Sequence, residues 1–302
     1  MWEVKIGEII KKKREKLGIR QADLCGGICT VSTLSKIENG LMFPTSFKLR
    51  YLMERLGIDT EQYFILSSTR EIELNNILEE LNNSFKTEPK STGETLKKAY
   101  DLMNEDNAAE RQTVGAYSLR NDILEQKKPF ETIAAEALEL LRITHPDLSS
   151  DAAERSLYSK TEWNILIDYG KTLVLIGDKE RALEVLSKVR QYLARKYMDY
   201  ELIREGYETV TLGIVEILVS LGRFVEADTY SDELIEVFSK NKGMANLAEV
   251  MINRTIIAIN LKKSPDCVKR MIKQTREVIK MDKGIETAER FDDYIRKECG
   301  HL

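Results

Sequence analysis

LGIRQADLCGGICTVSTLSKIENGLMFPTSFKLRYLMERLGI, residues Leu17–Ile58, is the stretch on which the fold turns. Arg20–Cys25 predicts a brief helix closed by Gly26-Gly27, and Val31–Asn39 predicts a second, stopped by Gly40. So short a helix is marginal in water, which means that neighbours must clamp it. Leu34 and Ile37, three apart, supply the buried clamp. Ser32, Ser35 and Lys36 then project outward, with Thr30 and Val31 at the tip. Short polar side chains and one lysine suit contact with base edges in a groove about 12 Å wide.

Working outward, Ile6, Ile9, Ile10 and Leu17 put an apolar stripe on a preceding helix, whose other face carries Lys11, Lys12, Lys13 and Arg14. Downstream, Phe47, Leu49, Leu52, Met53 and Leu56 mark a fourth helix between Pro44 and Gly57. Asp59 with Gln62 three residues later reads as a capping box for a fifth, carrying Tyr63, Phe64 and Leu66. Residues 1–66 therefore form an expected five-helix head. Residues 67–71 read as a linker, and residues 72–302 as a body of longer helices. Pro89, Pro129, Pro146 and Pro265 fall at breaks between those helices, where a missing N–H and a fixed φ do no harm.

The body has an internal period. VLIGDKERAL (Val174–Leu183) and VSLGRFVEAD (Val219–Asp228) match at Val, Gly and Ala across a 45-residue shift, and Ala137 lies another 45 residues upstream of Ala182. A helix, a glycine turn and a second helix with a small residue near its start is a helical-hairpin repeat. The expected class is all-α: a helix-turn-helix head followed by an α-solenoid of tetratricopeptide-like hairpins.

Composition agrees. The chain has 302 residues, 42% of them hydrophobic, enough to bury a core and exclude wholesale disorder. Residues 1–66 carry a balance of +3 and the remainder −7, so only the head is suited to a polyanion. Four sparse cysteines make no disulfide scaffold, and no apolar run reads as a signal peptide or a membrane span, so a cytoplasmic protein is expected. Cys25 and Cys29 have no further Cys or His to complete a zinc set; they read as small core residues, with a redox role the alternative. His145 and His301 are the only histidines and form no triad, and phosphate-cradling glycine loops are absent, so neither catalysis, metal nor cofactor is expected.

Leu17–Ile58 resembles the helix-turn-helix of phage-repressor-like (Cro/C1, XRE) regulators through Gln21, Leu24, Ser35, Ile37, the Glu38-Asn39-Gly40 triplet and Pro44. The resemblance implies that Gln21 and Asn39 meet backbone phosphates of duplex DNA, and that Thr30, Val31, Ser32, Ser35 and Lys36 face the bases. It also implies a structural ion pair between Arg14 and Glu38. Arg20 stands where the family's Ser/Thr cap is usual, and the segment between the two helices is one residue shorter than the commonest pattern.

Head and body together resemble the PlcR/Rgg-type (RRNPP) peptide-responsive transcription regulators. That resemblance implies a homodimer on a pseudo-palindromic operator and a short signalling peptide bound by the repeats. Asn121, Asn164, Lys171 and Asn253 are the candidate peptide contacts, because an amide donates to and accepts from an extended backbone at once. The alternative is a scaffold whose repeats bind a protein partner, with DNA binding secondary.

Overall fold

The chain is described here from a computed structural model, for residues 2–63, 67–87, 92–146, 157–195, 198–240 and 246–299. Among the described residues it is helical, without strands. The head comprises α1 (Trp2–Lys16), α2 (Gln21–Cys25), α3 (Val31–Glu38) and α4 (Ser46–Arg55), then a 3-10 turn at Thr60–Gln62. The expected fifth helix is that single turn. The Asp59 carboxylate accepts from the Glu61 amide two residues on, closing a turn that no helix extends. Tyr63 packs half-buried on the head core, and Phe64 and Leu66 lie outside the described residues.

The body continues with α5 (Thr69–Thr87), α6 (Gly93–Leu102), α7 (Ala108–Glu125), α8 (Phe130–Arg142), α9 (Lys160–Ile176), α10 (Lys179–Leu193) and α11 (Tyr200–Ser220). It ends with α12 (Phe224–Lys240), α13 (Leu247–Asn260), α14 (Pro265–Lys283) and α15 (Ile285–Cys299). The prolines sit as expected: Pro129 precedes α8, Pro146 follows it and Pro265 opens α14, while Pro89 lies outside the described residues.

The chain forms two compact units, residues 1–206 and 207–302. In the first, α7 pairs with α8, α8 with α9 and α9 with α10; in the second, α12 to α15 each pack on the next. The repeated alanines explain the pairing. Ala137 in α8, Ala182 in α10 and Ala227 in α12 are all fully buried, so each second helix lies close to its neighbours. Two glycines allow the same closeness from the other side. A Cβ on Gly115 of α7 would lie 2.4 Å from the Leu140 side chain, and one on Gly170 of α9 would lie 2.6 Å from Leu186. Gly177 and Gly222, 45 residues apart, end α9 and α11 with positive φ of 98° and 73°, which glycine adopts without strain.

The expected head boundary at residue 66 falls inside the first unit. The head core of Ile10, Leu24, Leu34, Phe47, Leu52 and Leu56 continues into Leu74, Leu78 and Leu81 of α5. Each fully buried Leu or Phe contributes about 1.5–3 kcal/mol, so α4 and α5 are joined by more than a tether. The Glu71 carboxylate strengthens the junction, accepting from the amide and hydroxyl of both Ser46 and Ser68 at 2.9–3.0 Å.

Candidate nucleic-acid interface

The interface is built on α3, eight residues that hold together through their ends and one face. At the start, the Thr30 hydroxyl caps the helix by accepting from the Thr33 amide at 3.1 Å. Leu34 and Ile37 are buried against the head core. At the end, Asn39 closes the last turn, its side-chain amide donating to the Ser35 carbonyl at 2.9 Å. Helix α1 crosses α3 so tightly that a Cβ on Gly7 would stand 2.1 Å from the Ile37 carbonyl oxygen.

Glu38 joins three helices. Its carboxylate accepts from Arg14 Nε at 2.6 Å and Nη2 at 3.0 Å, both from α1, and from Gln21 Nε2 of α2 at 2.7 Å. The Glu38 side chain is 1% exposed and that of Arg14 11%, and Arg14 also donates to the Ile19 carbonyl at 3.0 Å. The bond to Glu38 holds the Arg14 pKa above its ordinary value. One N–H of the Gln21 amide is thereby used, leaving the second for another acceptor. Arg20, standing as the N-cap of α2, makes no side-chain cap bond; its guanidinium pairs with Asp23 at 2.7–2.8 Å.

One side of α3 is open. Val31, Ser32, Lys36 and Asn39 are exposed, as is Thr30 at the tip, while Gln21 and Ser35 are half-buried. Lys11 on α1 reaches Asn39 Oδ1 at 3.5 Å, which puts a cation beside the end of α3. The arrangement is a rigid helix with short polar groups and lysines along one open side.

The turn between α2 and α3 rests on a residue that local sequence patterns miss. Arg55, at the end of α4, is 1% exposed and donates through Nη1 to the carbonyls of Leu24 at 3.1 Å and Gly26 at 2.7 Å. It also meets Glu162 of α9 through Nε at 3.1 Å and Nη2 at 2.5 Å. Glu162 receives Thr144 Oγ1 at 2.5 Å, lies 3.1 Å from His145 Nε2, and takes the Ser159 amide in a capping box. Burial pushes the Glu162 pKa up, but Arg55 and His145 outweigh it and hold the group well below the usual carboxylate range. Neighbouring Glu54 accepts from the Lys160 amide at 2.7 Å; burial pushes it up to about 7, against the pull of Arg50 and Lys160. The Ser159–Glu162 spacing was the one readable signal for this cluster.

The helix-turn-helix family model matches residues 10–62, from the middle of α1 to the 3-10 turn. Residues 10–62 are an XRE-type helix-turn-helix domain. No curated protein sequence matches the chain. Among solved structures, PlcR of Bacillus thuringiensis in complex with the peptide PapR7 and DNA aligns with a TM-score of 0.60 and 16% identity, over 98% of this chain and 99% of that one. ComR of S. thermophilus, in complex with DNA and its signalling peptide ComS, aligns with a TM-score of 0.51 and 19% identity, over 97% and 99%. The TPR-like repeats of a kinesin light chain from Podospora anserina align with a TM-score of 0.50 and 10% identity, over 71% and 98%. At such identities these likenesses carry the fold: a helix-turn-helix head on tetratricopeptide-like hairpins.

The four candidate peptide contacts are not equivalent. Asn121 of α7 is buried, accepting from the Thr92 hydroxyl and donating to Glu125. Asn253 of α13, in the second unit, is buried and returns its amide to the Glu249 carbonyl at 2.9 Å. Both amides already make bonds within their own surroundings. Asn164 is half-buried and Lys171 exposed, seven residues apart on α9 and so about two turns apart on one side. Among the described residues no group of acidic, histidine or cysteine side chains is arranged to hold a metal, and no helix is long and apolar enough to cross a membrane.

Proposed function

We propose that the protein is a sequence-specific DNA-binding transcription regulator whose helical hairpins receive a short signalling peptide. The observation that carries the reading is the helix-turn-helix domain with Val31, Ser32, Lys36 and Asn39 exposed along one side of α3. In this reading residues 1–66 act as the reading head, 67–71 as its connection and 72–302 as the dimerising and sensing body. Thr30, Val31, Ser32, Ser35 and Lys36 read base edges, and Gln21, through its second N–H, and Asn39 hold phosphates. One head spans few base pairs, so useful specificity calls for two copies on half-sites about 34 Å apart, or a multiple of that. The +3 head meets the phosphates and the −7 remainder contributes geometry. PlcR is solved with the peptide PapR7 and DNA, and ComR with DNA and its signalling peptide ComS, which supports the peptide half of the proposal. Asn164 and Lys171 are its contacts here, the amide for a peptide bond and the ammonium for a carboxylate.

Fluorescence anisotropy of labelled duplexes with the full chain tests the DNA half. Affinity is expected to fall with salt at a log–log slope of about −0.9 per phosphate neutralised. Lys36→Ala is expected to relax preference at one base pair by about 1–3 kcal/mol, whereas Gln21→Ala weakens all sites alike. Salt-independent binding, or no binding to any genomic fragment, overturns it. Native mass spectrometry of chain isolated from its own cytoplasm tests the peptide half: a co-purifying peptide is expected, and is lost from the Asn164→Ala, Lys171→Ala double variant.

A further inference from the structure

Two thiols lie inside the turn that sets the angle between α2 and α3. Cys25 is the last residue of α2, and the chain folds back so that the amides of Ile28 and Cys29 both donate to the Cys25 carbonyl, at 2.9 and 3.1 Å. The bond from the Cys29 amide brings the two residues together so that their thiols interact, while the Cys25 thiol also donates to the Ala22 carbonyl at 3.9 Å. Cys25 is buried, and Cys29 is half-buried and opens the pair to solvent. Both feel the positive charge of Arg55, whose guanidinium holds the carbonyls of Leu24 and Gly26 in the same turn, and Lys48 adds a second cation beside Cys29.

We propose that Cys25 and Cys29 form an oxidisable dithiol, a modification site for a hydroperoxide, whose closure to an intramolecular disulfide deforms the turn and disables the helix-turn-helix. The ionised sulfur of the pair attacks the terminal oxygen of the hydroperoxide. The O–O bond breaks, leaving a sulfenic acid and releasing an alcohol, or water if the oxidant is hydrogen peroxide. The neighbouring thiol then attacks the sulfenic sulfur, the S–O bond breaks, and the departing hydroxide takes the thiol proton as water. Two electrons leave the dithiol and reduce one peroxide. An adjacent S–H that donates to the thiolate favours the first step; for Cys25 that contact with Cys29 pulls the pKa down to about 7 against the effect of burial.

The mechanical consequence follows from dimensions. A disulfide holds its two sulfurs about 2.0 Å apart and its β-carbons about 3.5–4.5 Å apart, closer than two thiols that only share a hydrogen bond. Closure must therefore draw residues 25 and 29 together. Between them Gly27, at φ +70°, is seated so closely that a Cβ on it would lie 2.2 Å from the Thr144 carbonyl oxygen. The turn cannot move toward Thr144, so the displacement passes to α2, α3 and the carbonyls held by Arg55.

The loss of DNA binding rests on the proposed function; the chemistry does not, and two readouts separate them. Full-length chain is treated with hydrogen peroxide, blocked with an alkylating agent and digested with trypsin. The peptide Gln21–Lys36 contains Cys25 and Cys29 and no other cysteine. It is expected to appear unalkylated and lighter by two hydrogens, and to return to a doubly alkylated form after dithiothreitol. In the same samples amide exchange across α2 and α3 is expected to accelerate, and duplex affinity to fall about tenfold or more and recover on reduction. Cys29→Ser and Cys25→Ala are each expected to keep their duplex affinity through peroxide treatment. Two alkylatable thiols after oxidation, a disulfide only between copies, or closure with unchanged exchange across α2 and α3 overturns the proposal. Failure of the reduced chain to bind any duplex overturns the proposed function instead, and leaves the mass and exchange results to judge the dithiol.

Discussion

Replacing Glu38 by alanine removes the acceptor of three bonds that tie α1, α2 and α3 together, at 2.6, 2.7 and 3.0 Å. What remains is an Arg14 guanidinium with an 11% exposed side chain, keeping its bond to the Ile19 carbonyl and its pair with Glu15 at 3.5 Å. Breaking one side of a fully buried pair costs about 3–5 kcal/mol, because the stranded charge stays desolvated. Arg14 retains a carbonyl and some access to water, so the low end, about 3 kcal/mol, is the expected loss. The assay is hydrogen exchange of the α3 amides in the full chain, since local opening can be read there without assuming a two-state molecule. A loss of about 3 kcal/mol is roughly a hundredfold faster exchange. Arg14→Met combined with Glu38→Leu fills the same space without charge and is expected to exchange much closer to wild type than Glu38→Ala does, because an apolar replacement strands nothing. Exchange in Glu38→Ala equal to wild type, together with altered base preference, would refute the reasoning and make Glu38 a reader of DNA.

Two further perturbations test the packing and the buried charges. Gly7→Ala is expected to destabilise the head by about 1–3 kcal/mol in urea unfolding, since its methyl would collide with the Ile37 carbonyl and force α1 off α3; an unchanged midpoint would show that the helices can part without cost. Glu54 and Glu162 give opposite pH responses. Glu54, raised in the folded chain from 4.5 to about 7, binds its proton more tightly when folded, so its contribution falls as pH rises through that window. Glu54→Gln is thus expected to be more stable than wild type at pH 8, by at most about 3 kcal/mol, and no different below pH 4.5 on this account. Glu162, held below 4.5, stabilises the fold above that pH and loses its contribution as pH falls. Wild-type chain in which Glu54→Gln changes nothing at pH 8 would place water beside Glu54.

Much of the site was legible because it is local. Gly18, Gly40 and Gly57 punctuate short helices, Leu34 and Ile37 mark the inner side of α3, and Val31, Ser32 and Lys36 face out. The repeat was legible for a similar reason: a small residue recurs wherever two helices must approach, as at Ala137, Ala182 and Ala227. Long-range chemistry was not legible. Nothing near Arg55 in sequence announces that it will hold the carbonyls of the recognition turn and a carboxylate 107 residues away. It reads as an ordinary basic residue in the last turn of a helix. Asn121 and Asn253 show the same limit, since an amide on a long helix looks the same in sequence whether or not it bonds a buried threonine or its own backbone. The apparent capping box at Asp59 shows the limit of spacing alone: the bond goes to Glu61, and the turn ends there.

Selection of duplexes from a random pool by the full-length chain tests the central claim most directly. The wild-type chain is expected to enrich a pseudo-palindrome with half-sites about 10 base pairs apart, or a multiple of that, and Lys36→Ala to enrich the same arrangement with preference lost at one position of each half-site. A selected pool indistinguishable from the input, or identical pools from wild type and Lys36→Ala, would contradict it.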